Sequence, residues 1–290
     1  MLNFLIFFFG RSFTAGGKNS KLYQVIQLER KIAHKTINFP RGLDIAIKDY
    51  PGKRWLNCFD YFFCHCKIDA DLIKKFKKEE FIKIIGYPRY NTITNYNQSL
   101  EKIKKDFKIT NSKKILLWMP GTLNLPGGEI DNIKLWFKKV YDFSIVSNFN
   151  LILRPSPKIK IDQINFILEL QKKYFFYLDL QKSRELVHLY NSADIVFVDY
   201  GGSVFSSLYM YKNTIILNLP KSHPFLKNKN LNAYSLELLI SNKFTSLNLE
   251  DENIENKILN SKENISKLRN EIFGEEIDFF NEINNFFKNA

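Results

Sequence analysis

The pattern of apolar and polar positions from residue 191 to residue 220 predicts a strand, a glycine turn, a helix and a second strand. The apolar run at residues 195–198 ends at Asp199, Gly201-Gly202-Ser203 opens a helical segment, and a second apolar run occupies residues 215–219. A helix that begins after a glycine turn presents free backbone N–H groups and the positive end of its dipole. This corner therefore predicts an anion site and points to an enzyme that handles nucleotides.

The same alternation extends upstream. Residues 114–118, 150–153 and 175–178 are predicted strands, and residues 130–143, 162–174 and 183–192 are predicted helices. Strands separated by helices of about a dozen residues indicate a parallel sheet with right-handed crossovers. The polar stretch at residues 90–99 is predicted to be a linker.

The two ends of the chain follow this pattern less regularly. Residues 22–33 are predicted as a helix, residues 35–39, 58–68 and 81–85 as strands, and Asp69 as the cap of a helix at residues 72–78. Residues 254–289 have amphipathic helical periodicity. The candidate buried positions in this tail are Leu268, Ile272, Phe279, Ile283 and Phe286.

These patterns predict three regions. Residues 1–95 form a partial N-terminal α/β domain, residues 96–250 a nucleotide-donor-binding Rossmann-like domain, and residues 251–290 a C-terminal helical segment.

Charge and cysteine content narrow the partners and the compartment. The net charge of +13 fits either an anionic partner or helices with solvated lysine faces, and both readings stay open. The three cysteines, Cys58, Cys64 and Cys66, are too few and too clustered for a disulfide framework, so a reducing cytoplasm is expected. The apolar run near residues 4–9 falls far short of the ~20 residues of a membrane span, although a peripheral membrane contact stays open. No pattern predicts specific binding of nucleic acid.

Four clusters of chemically distinctive residues follow predicted strands, and ligands of parallel sheets bind at the carboxyl ends of strands. Arginine forms bidentate hydrogen bonds with phosphate, and glycine lets the backbone approach it closely. We therefore expect the four clusters to converge on one edge of the sheet and to form a ligand site there. They are Gly86-Tyr87-Pro88-Arg89, Pro120-Gly121-Thr122, Arg154-Pro155-Ser156-Pro157 and Asp199-Tyr200-Gly201-Gly202-Ser203.

Together with Ala193-Asp194, these motifs resemble the CDP-glycerol glycerophosphotransferase family over about residues 37–220. The resemblance implies a GT-B-like α/β fold with two Rossmann-like domains facing a cleft, the N-terminal one incomplete. It implies transfer of glycerol phosphate, or a related alditol phosphate, from a CDP-activated donor to a cell-surface polymer acceptor. Teichoic acid and capsule polysaccharide biosynthesis are the processes that it suggests.

The chain departs from the family pattern at three places. Ser156 stands where the family has the histidine of Arg-Pro-His-Pro, Arg41 where it has the histidine before glycine, and Gly201-Gly202 where it has paired serines. The resemblance thus implies Arg41, Asp44 and Ser156 as catalytic residues, with Asp44 or Asp199 as a substitute base. The implied donor and phosphate ligands are Arg89, Thr122, Arg154, Asp199, Tyr200, Gly201, Gly202 and Ser203.

No cofactor or metal is expected, because the activated donor is itself a substrate. The expected partners are this nucleotide-activated small molecule and a polymer or lipid-linked acceptor. Asp69-Ala70-Asp71 has the spacing of a metal motif but lies at a helix start, and the cluster of Cys58, Cys64, His65 and Cys66 is better explained by a buried strand than by zinc.

Two other functions remain open. One is a GT-B glycosyltransferase or epimerase that uses a UDP- or GDP-sugar. The other is a catalytically inactive or truncated relative that acts as a binding protein.

Overall fold

The computed structural model describes residues 35–39, 59–74, 77–90, 95–121, 128–199, 202–220, 243–252, 254–259, 261 and 265–289. The chain forms two compact units: unit 1 contains residues 1–91 and 270–290, and unit 2 contains residues 92–269. The predicted boundaries, after residues 95 and 250, differ from this division because the end of the chain belongs to unit 1.

Among the described residues of unit 1, three strands form a parallel sheet of order β1-β2-β3. Its strands are β1 Ile37–Asn38, β2 Tyr61–Cys64 and β3 Ile82–Ile84. Helix α1, Lys67–Lys74, follows β2, and single 3₁₀ turns occupy Glu79–Phe81 and Pro88–Tyr90. The predicted helix at residues 22–33 lies outside the described residues.

The predicted strand at residues 58–68 is too long, and the prediction that a helix starts at residue 72 is wrong. Helix α1 begins at Lys67, so Asp69 lies inside its first turn instead of capping it from outside. There the Asp69 carboxylate accepts a hydrogen bond of 3.0 Å from the backbone N–H of His65. A carboxylate in the first turn satisfies a free N–H and complements the helix dipole as well as a cap does.

The C-terminal helix supplies much of the apolar cover of the unit 1 sheet. The last two helices of the described chain are α8, Ile265–Phe273, and α9, Phe279–Asn289; helices α2–α7 belong to unit 2 and are given below. The Phe286 ring meets Tyr61 at 4.9 Å and Phe63 at 5.0 Å in edge-to-face contacts. Leu268, Ile272 and Phe286 are buried as predicted. Phe279 and Ile283 are partly buried and pack against the apolar cluster that contains Phe63 and Phe286.

In the described part of unit 2, six strands form an all-parallel sheet of order β6-β5-β4-β7-β8-β9. Its strands are β4 Lys114–Met119, β5 Phe149–Leu153, β6 Tyr177–Leu178, β7 Ile195–Val198, β8 Asn213–Leu217 and β9 Thr245–Leu247. Its helices are α2 Tyr96–Phe107, α3 Gly128–Val146, α4 Ile161–Lys173, α5 Leu186–Ser192, α6 Gly202–Tyr209 and α7 Ile254–Leu259. The predicted alternation of strands and helices is confirmed, with ends shifted by a few residues.

Helix α2 occupies part of the stretch that we predicted as a linker, so that prediction is wrong from residue 96 onward. The side chain of Asn95 caps the helix by accepting a hydrogen bond of 2.9 Å from the N–H of Asn97. Ser99 and Ile103 on its inner face are buried. A polar segment can form a helix when a cap and one buried face stabilise it.

The central strands β7 and β8 are buried along their whole length. Trp118, Trp136 and Phe197 are fully buried in one apolar cluster around this sheet. Such strands are covered on both faces, which is why they read as continuous apolar runs in the sequence. In the described part of the chain, we find no helix with the length and apolar character needed to cross a membrane.

Candidate functional site

The strand order of unit 2 reverses between β4 and β7. The chain moves outward from β4 through β5 to β6, and then from β7 on the other side of β4 to β8 and β9. In open parallel sheets, ligands bind outside the carboxyl ends of the strands at such a switch point. Gly121 follows β4 and Asp199 follows β7, so both lie at this position.

Three of the four predicted clusters follow strands of this sheet, namely those around Gly121, Arg154 and Asp199. The fourth, Gly86 to Arg89, follows β3 in unit 1. The expectation that all four lie on one sheet edge is therefore wrong, because the described residues form two separate sheets, one in each unit.

Asp199 is fully buried and ties the switch point together. One carboxylate oxygen accepts a hydrogen bond of 2.5 Å from the backbone N–H of Gly121. The other accepts from the side-chain amide of Asn132, a fully buried residue of α3. Asp199 was predicted as a donor ligand, and the structure places its carboxylate in this internal network.

Helix α6 starts at the same place, as the glycine pattern predicted. Gly202 and Ser203 are its first two residues and are half-buried. Their backbone N–H groups have no acceptor within the helix, as is general for a first turn. Behind them, the Ser207 hydroxyl bonds to Thr214 of β8 at 2.6 Å and anchors the helix. Thr122, Tyr200 and Gly201 lie outside the described residues.

Arg154 follows β5 and is only 5% exposed. Its guanidinium pairs with the carboxylate of Asp179, which follows β6, and donates to the carbonyl of Gln181 at 3.2 Å. Asp179 also accepts from Arg184 Nε at 3.0 Å. The residue predicted to bind phosphate thus belongs to a buried ion-pair network. Sequence reasoning missed Asp179, although its place at a strand end was a usable signal.

Ser156 stands two residues after Arg154 and is half-buried. Its hydroxyl accepts a hydrogen bond of 3.3 Å from the N–H of Lys158, and its carbonyl accepts from Ile159 at 3.0 Å. These bonds shape a turn at the carboxyl end of β5. The catalytic role predicted for Ser156 stays a prediction.

In unit 1, His65 and Gly86 follow neighbouring strands. The buried His65 ring donates from Nδ1 to the carbonyl oxygen of Gly86 at 2.9 Å and lies edge-on to Tyr87 at 4.2 Å. Gly86 has a φ of 75°, which glycine adopts without strain. Burial lowers the pKa of His65 to about 3, so the ring is neutral. Within the described ranges, its buried Nε2 has no hydrogen-bond partner.

Arg89, the predicted donor ligand of this motif, is exposed in the turn Pro88–Tyr90. The predicted catalytic residues Arg41 and Asp44 lie outside the described residues. Their roles stay predictions.

The carboxylates with metal-motif spacing are both engaged in local contacts. Asp69 accepts from His65, and burial raises its pKa to about 6. Asp71 pairs with Lys67 at 2.6 Å on the surface. Cys64 and Cys66 are buried free thiols, and burial raises the pKa of Cys66 to about 12. The described residues contain no group of three or more such side chains able to hold a metal ion.

The profile of the CDP-glycerol:poly(glycerophosphate) glycerophosphotransferase family matches residues 54–220, which is more than half of the chain. The match includes residues of both units. Among curated protein sequences there is no significant match.

Solved structures with similar folds include the wall teichoic acid polymerase TagF, at 15% identity and a TM-score of 0.61. That match covers 86% of this chain and 65% of the TagF chain, so this chain spans less than two thirds of it. UDP-GlcNAc 2-epimerase from Methanocaldococcus jannaschii matches at 13% identity and a TM-score of 0.58, covering 93% of this chain and 74% of the epimerase. UDP-GlcNAc 2-epimerase from Neisseria meningitidis matches at 14% identity and a TM-score of 0.55, covering 92% of this chain and 72% of the epimerase. These similarities confirm the predicted GT-B type of fold.

Proposed function

Because the chain belongs to the CDP-glycerol:poly(glycerophosphate) glycerophosphotransferase family, we propose that it transfers glycerol phosphate from a CDP-activated donor. The acceptor is a hydroxyl of an anionic cell-surface polymer or of its lipid-linked precursor. The observation that carries the proposal is the family match over residues 54–220, which takes in both units. A related alditol phosphate would suit the same chemistry.

The reaction is a displacement at phosphorus. The acceptor oxygen forms a bond to the phosphorus that carries glycerol, the bridging P–O bond breaks, and CMP leaves with the electron pair. The hydroxyl proton passes to a base, for which Asp44 remains our candidate. Stabilising the charge on the phosphates is the main demand on the protein.

The start of α6 supports this reaction at the switch point. The backbone N–H groups of Gly202 and Ser203 and the positive end of the helix dipole favour the donor diphosphate. Arg89 and Thr122 remain proposed donor ligands. We propose that Arg154 contributes to the donor site indirectly, by fixing the strand ends after β5 and β6, since its guanidinium is paired with Asp179.

A second candidate function is motivated by the fold similarity to UDP-GlcNAc 2-epimerases. In that case the donor would be a UDP- or GDP-sugar. Identity of 13–14% limits this similarity to the fold, so the nucleotide has to be decided by binding.

Titration of the full chain with CDP-glycerol, CDP-ribitol, UDP-GlcNAc and a GDP-sugar tests the proposal, with melting temperature as readout. A ligand that binds only the folded state raises the melting temperature by mass action. We expect a rise with the CDP compounds and release of CMP when a glycerol phosphate polymer is added. A rise only with UDP-GlcNAc would favour the second candidate. Binding of CDP-glycerol without release of CMP would indicate an inactive relative.

We place the protein in the cytoplasm with a peripheral contact to anionic lipid, and the surface at the ends of α3 and α4 supports this contact. The two helix ends lie side by side, since the rings of Tyr141 and Tyr174 meet at 5.0 Å. Beyond them, Val146 is 74% exposed and Phe175 is 72% exposed. Apolar side chains of this kind insert at the boundary between lipid headgroups and acyl chains.

Lysines accompany these apolar side chains. Lys172 and Lys173 are exposed in the last turn of α4, where they complement anionic headgroups. We expect the protein to sediment with vesicles of phosphatidylcholine and phosphatidylglycerol and to release them at high salt. Val146→Asp with Phe175→Asp should abolish this, whereas Phe280→Asp, at a 68% exposed position of α9, should not. Equal vesicle binding by both variants would show that the surface at the ends of α3 and α4 does not contact the lipid.

A further inference from the structure

Both oxygens of the Asp199 carboxylate are engaged inside the protein. Oδ1 accepts from the Gly121 N–H and Oδ2 from the Asn132 amide. These partners are 78 and 67 residues away in sequence. One follows β4 and the other lies in α3, so a single side chain joins three elements around the switch point.

The position of Asp199 argues against contact with the donor. The residue is 0% exposed, and a carboxylate repels a diphosphate. The start of α6 lies only three residues further on, with N–H groups that suit phosphate. A negative side chain is tolerated beside an anion site when its oxygens face inward and accept hydrogen bonds from the scaffold.

From these contacts we infer that Asp199 is a positioning residue. It holds the backbone after β4 and helix α3 against the end of β7, the strand that leads into α6, and so maintains the arrangement that binds the donor phosphates. It does not touch the donor itself. This inference rests on the proposed function, because it concerns the same site.

Asn132 provides the means to separate hydrogen bonding from charge. Its amide nitrogen donates to Asp199, while its buried Oδ1 has no hydrogen-bond partner among the described residues. In Asp199→Asn, the new amide oxygen can accept from Gly121. Its NH₂ can donate to Asn132 once the Asn132 amide has turned over. The network therefore survives the loss of charge.

Binding of CDP to four variants, measured by calorimetry well below the melting temperature, tests the inference. We expect Asp199→Asn to weaken binding by about threefold or less, and Asp199→Ala to weaken it by about tenfold or more, because the Gly121 and Asn132 donors are left unpaired. Asn132→Asp brings two carboxylates together and should also cost about tenfold or more. Combining Asn132→Asp with Asp199→Asn restores one donor and one acceptor and should recover affinity to within about threefold. Glu169→Gln, on the exposed face of α4, serves as an unaffected control.

A direct donor contact predicts another order of affinities. Asp199→Asn would then bind as weakly as Asp199→Ala, and the combined variant would recover nothing, which would overturn the inference. A purely structural role would lower melting temperatures and leave the CDP affinity of the folded protein unchanged, and this too would overturn it.

Failure of the proposed function is recognised separately. If the unmodified protein binds no CDP, the proposed function falls, and the same variants are ranked with UDP and by melting temperature. The inference then holds only if UDP affinity follows the expected order and the combined variant melts at least about 4 °C above Asn132→Asp. It fails if either condition is not met.

Discussion

The carboxyl ends of the two sheets are built from different chemistry. In unit 2, the charged side chains at the strand ends have partners inside the protein: Arg154 is paired with Asp179, and Asp199 accepts hydrogen bonds from the Gly121 N–H and the Asn132 amide. In unit 1, the strand end carries the neutral imidazole of His65, held by a backbone carbonyl and a tyrosine ring.

The difference predicts how each edge responds to change. An edge held by paired charges is disrupted when one partner is removed, because the other charge stays buried. An edge held by a buried neutral base is disrupted by acid, because the folded protein resists protonation. Unit 2 should therefore be sensitive to substitution, and unit 1 to pH.

The largest expected effect is at the buried pair of unit 2. Arg154→Ala should lower the free energy of unfolding by about 3–5 kcal/mol, since it removes one of the two arginines that contact Asp179. Urea denaturation measures this loss. In the double variant Arg154→Met with Asp179→Leu, much of it should be recovered. A loss under about 1 kcal/mol would show that the pair does not define this edge.

Next in size is the aromatic cover of unit 1. Phe286 is buried against Tyr61 and Phe63, so Phe286→Ala should cost about 3 kcal/mol in urea denaturation. Phe280→Ala, on the same helix but exposed, should cost less than about 0.5 kcal/mol. If the two variants were equally stable, α9 would not be the cover of this sheet in solution.

An intermediate effect is expected from His65 in acid. Its pKa is lowered to about 3 by burial, from 6.5, so the unfolded chain binds more protons between these values. Stability linked to His65 is therefore complete above about pH 6.5 and falls as the pH drops toward 3. At pH 4.5 the loss should be about 2–3 kcal/mol, since one pKa unit corresponds to about 1.4 kcal/mol.

Asp69 acts in the opposite direction. Its pKa is raised from 3.8 to about 6, so the folded protein binds the extra proton and stability linked to Asp69 falls as pH rises through 6. When the pH falls from 7.5 to 4.5, the free energy of unfolding of His65→Gln should therefore rise relative to that of the unmodified protein. That of Asp69→Asn should fall relative to it. Unfolding curves at both pH values check the two signs. Parallel pH profiles for all three proteins would show that His65 and Asp69 do not make the stability of unit 1 depend on pH.

The smallest effect is expected at an exposed ion pair, which serves as the comparison for the buried pair of Arg154 and Asp179. Lys172 and Glu169 approach to 2.6 Å on α4, but their side chains are 70% and 62% exposed. Glu169→Gln should therefore change the free energy of unfolding by less than about 0.5 kcal/mol. A larger change would mean that ion pairs matter in this protein whether buried or not.

Much of unit 2 could be predicted because its signals are local. Apolar runs of three to five residues mark β4, β5, β7 and β8, and the glycines at positions 201 and 202 mark the start of α6. The helix α2 was missed because its segment is polar and depends on the Asn95 cap and on burial of Ser99. The edge strand β9 has only three residues, too few for a period to show.

The sequence by itself determined the alternation of strands and helices, the glycine corner at α6 and the motifs that match the family, because each depends on neighbouring residues. Only the tertiary structure decided which partner each charged side chain has. Arg154 meets Asp179 across 25 residues, and Asp199 meets Asn132 across 67. It also decided that the last helix covers the sheet of unit 1. Such contacts depend on strand order and on the packing of distant segments, and no local pattern of residues specifies either.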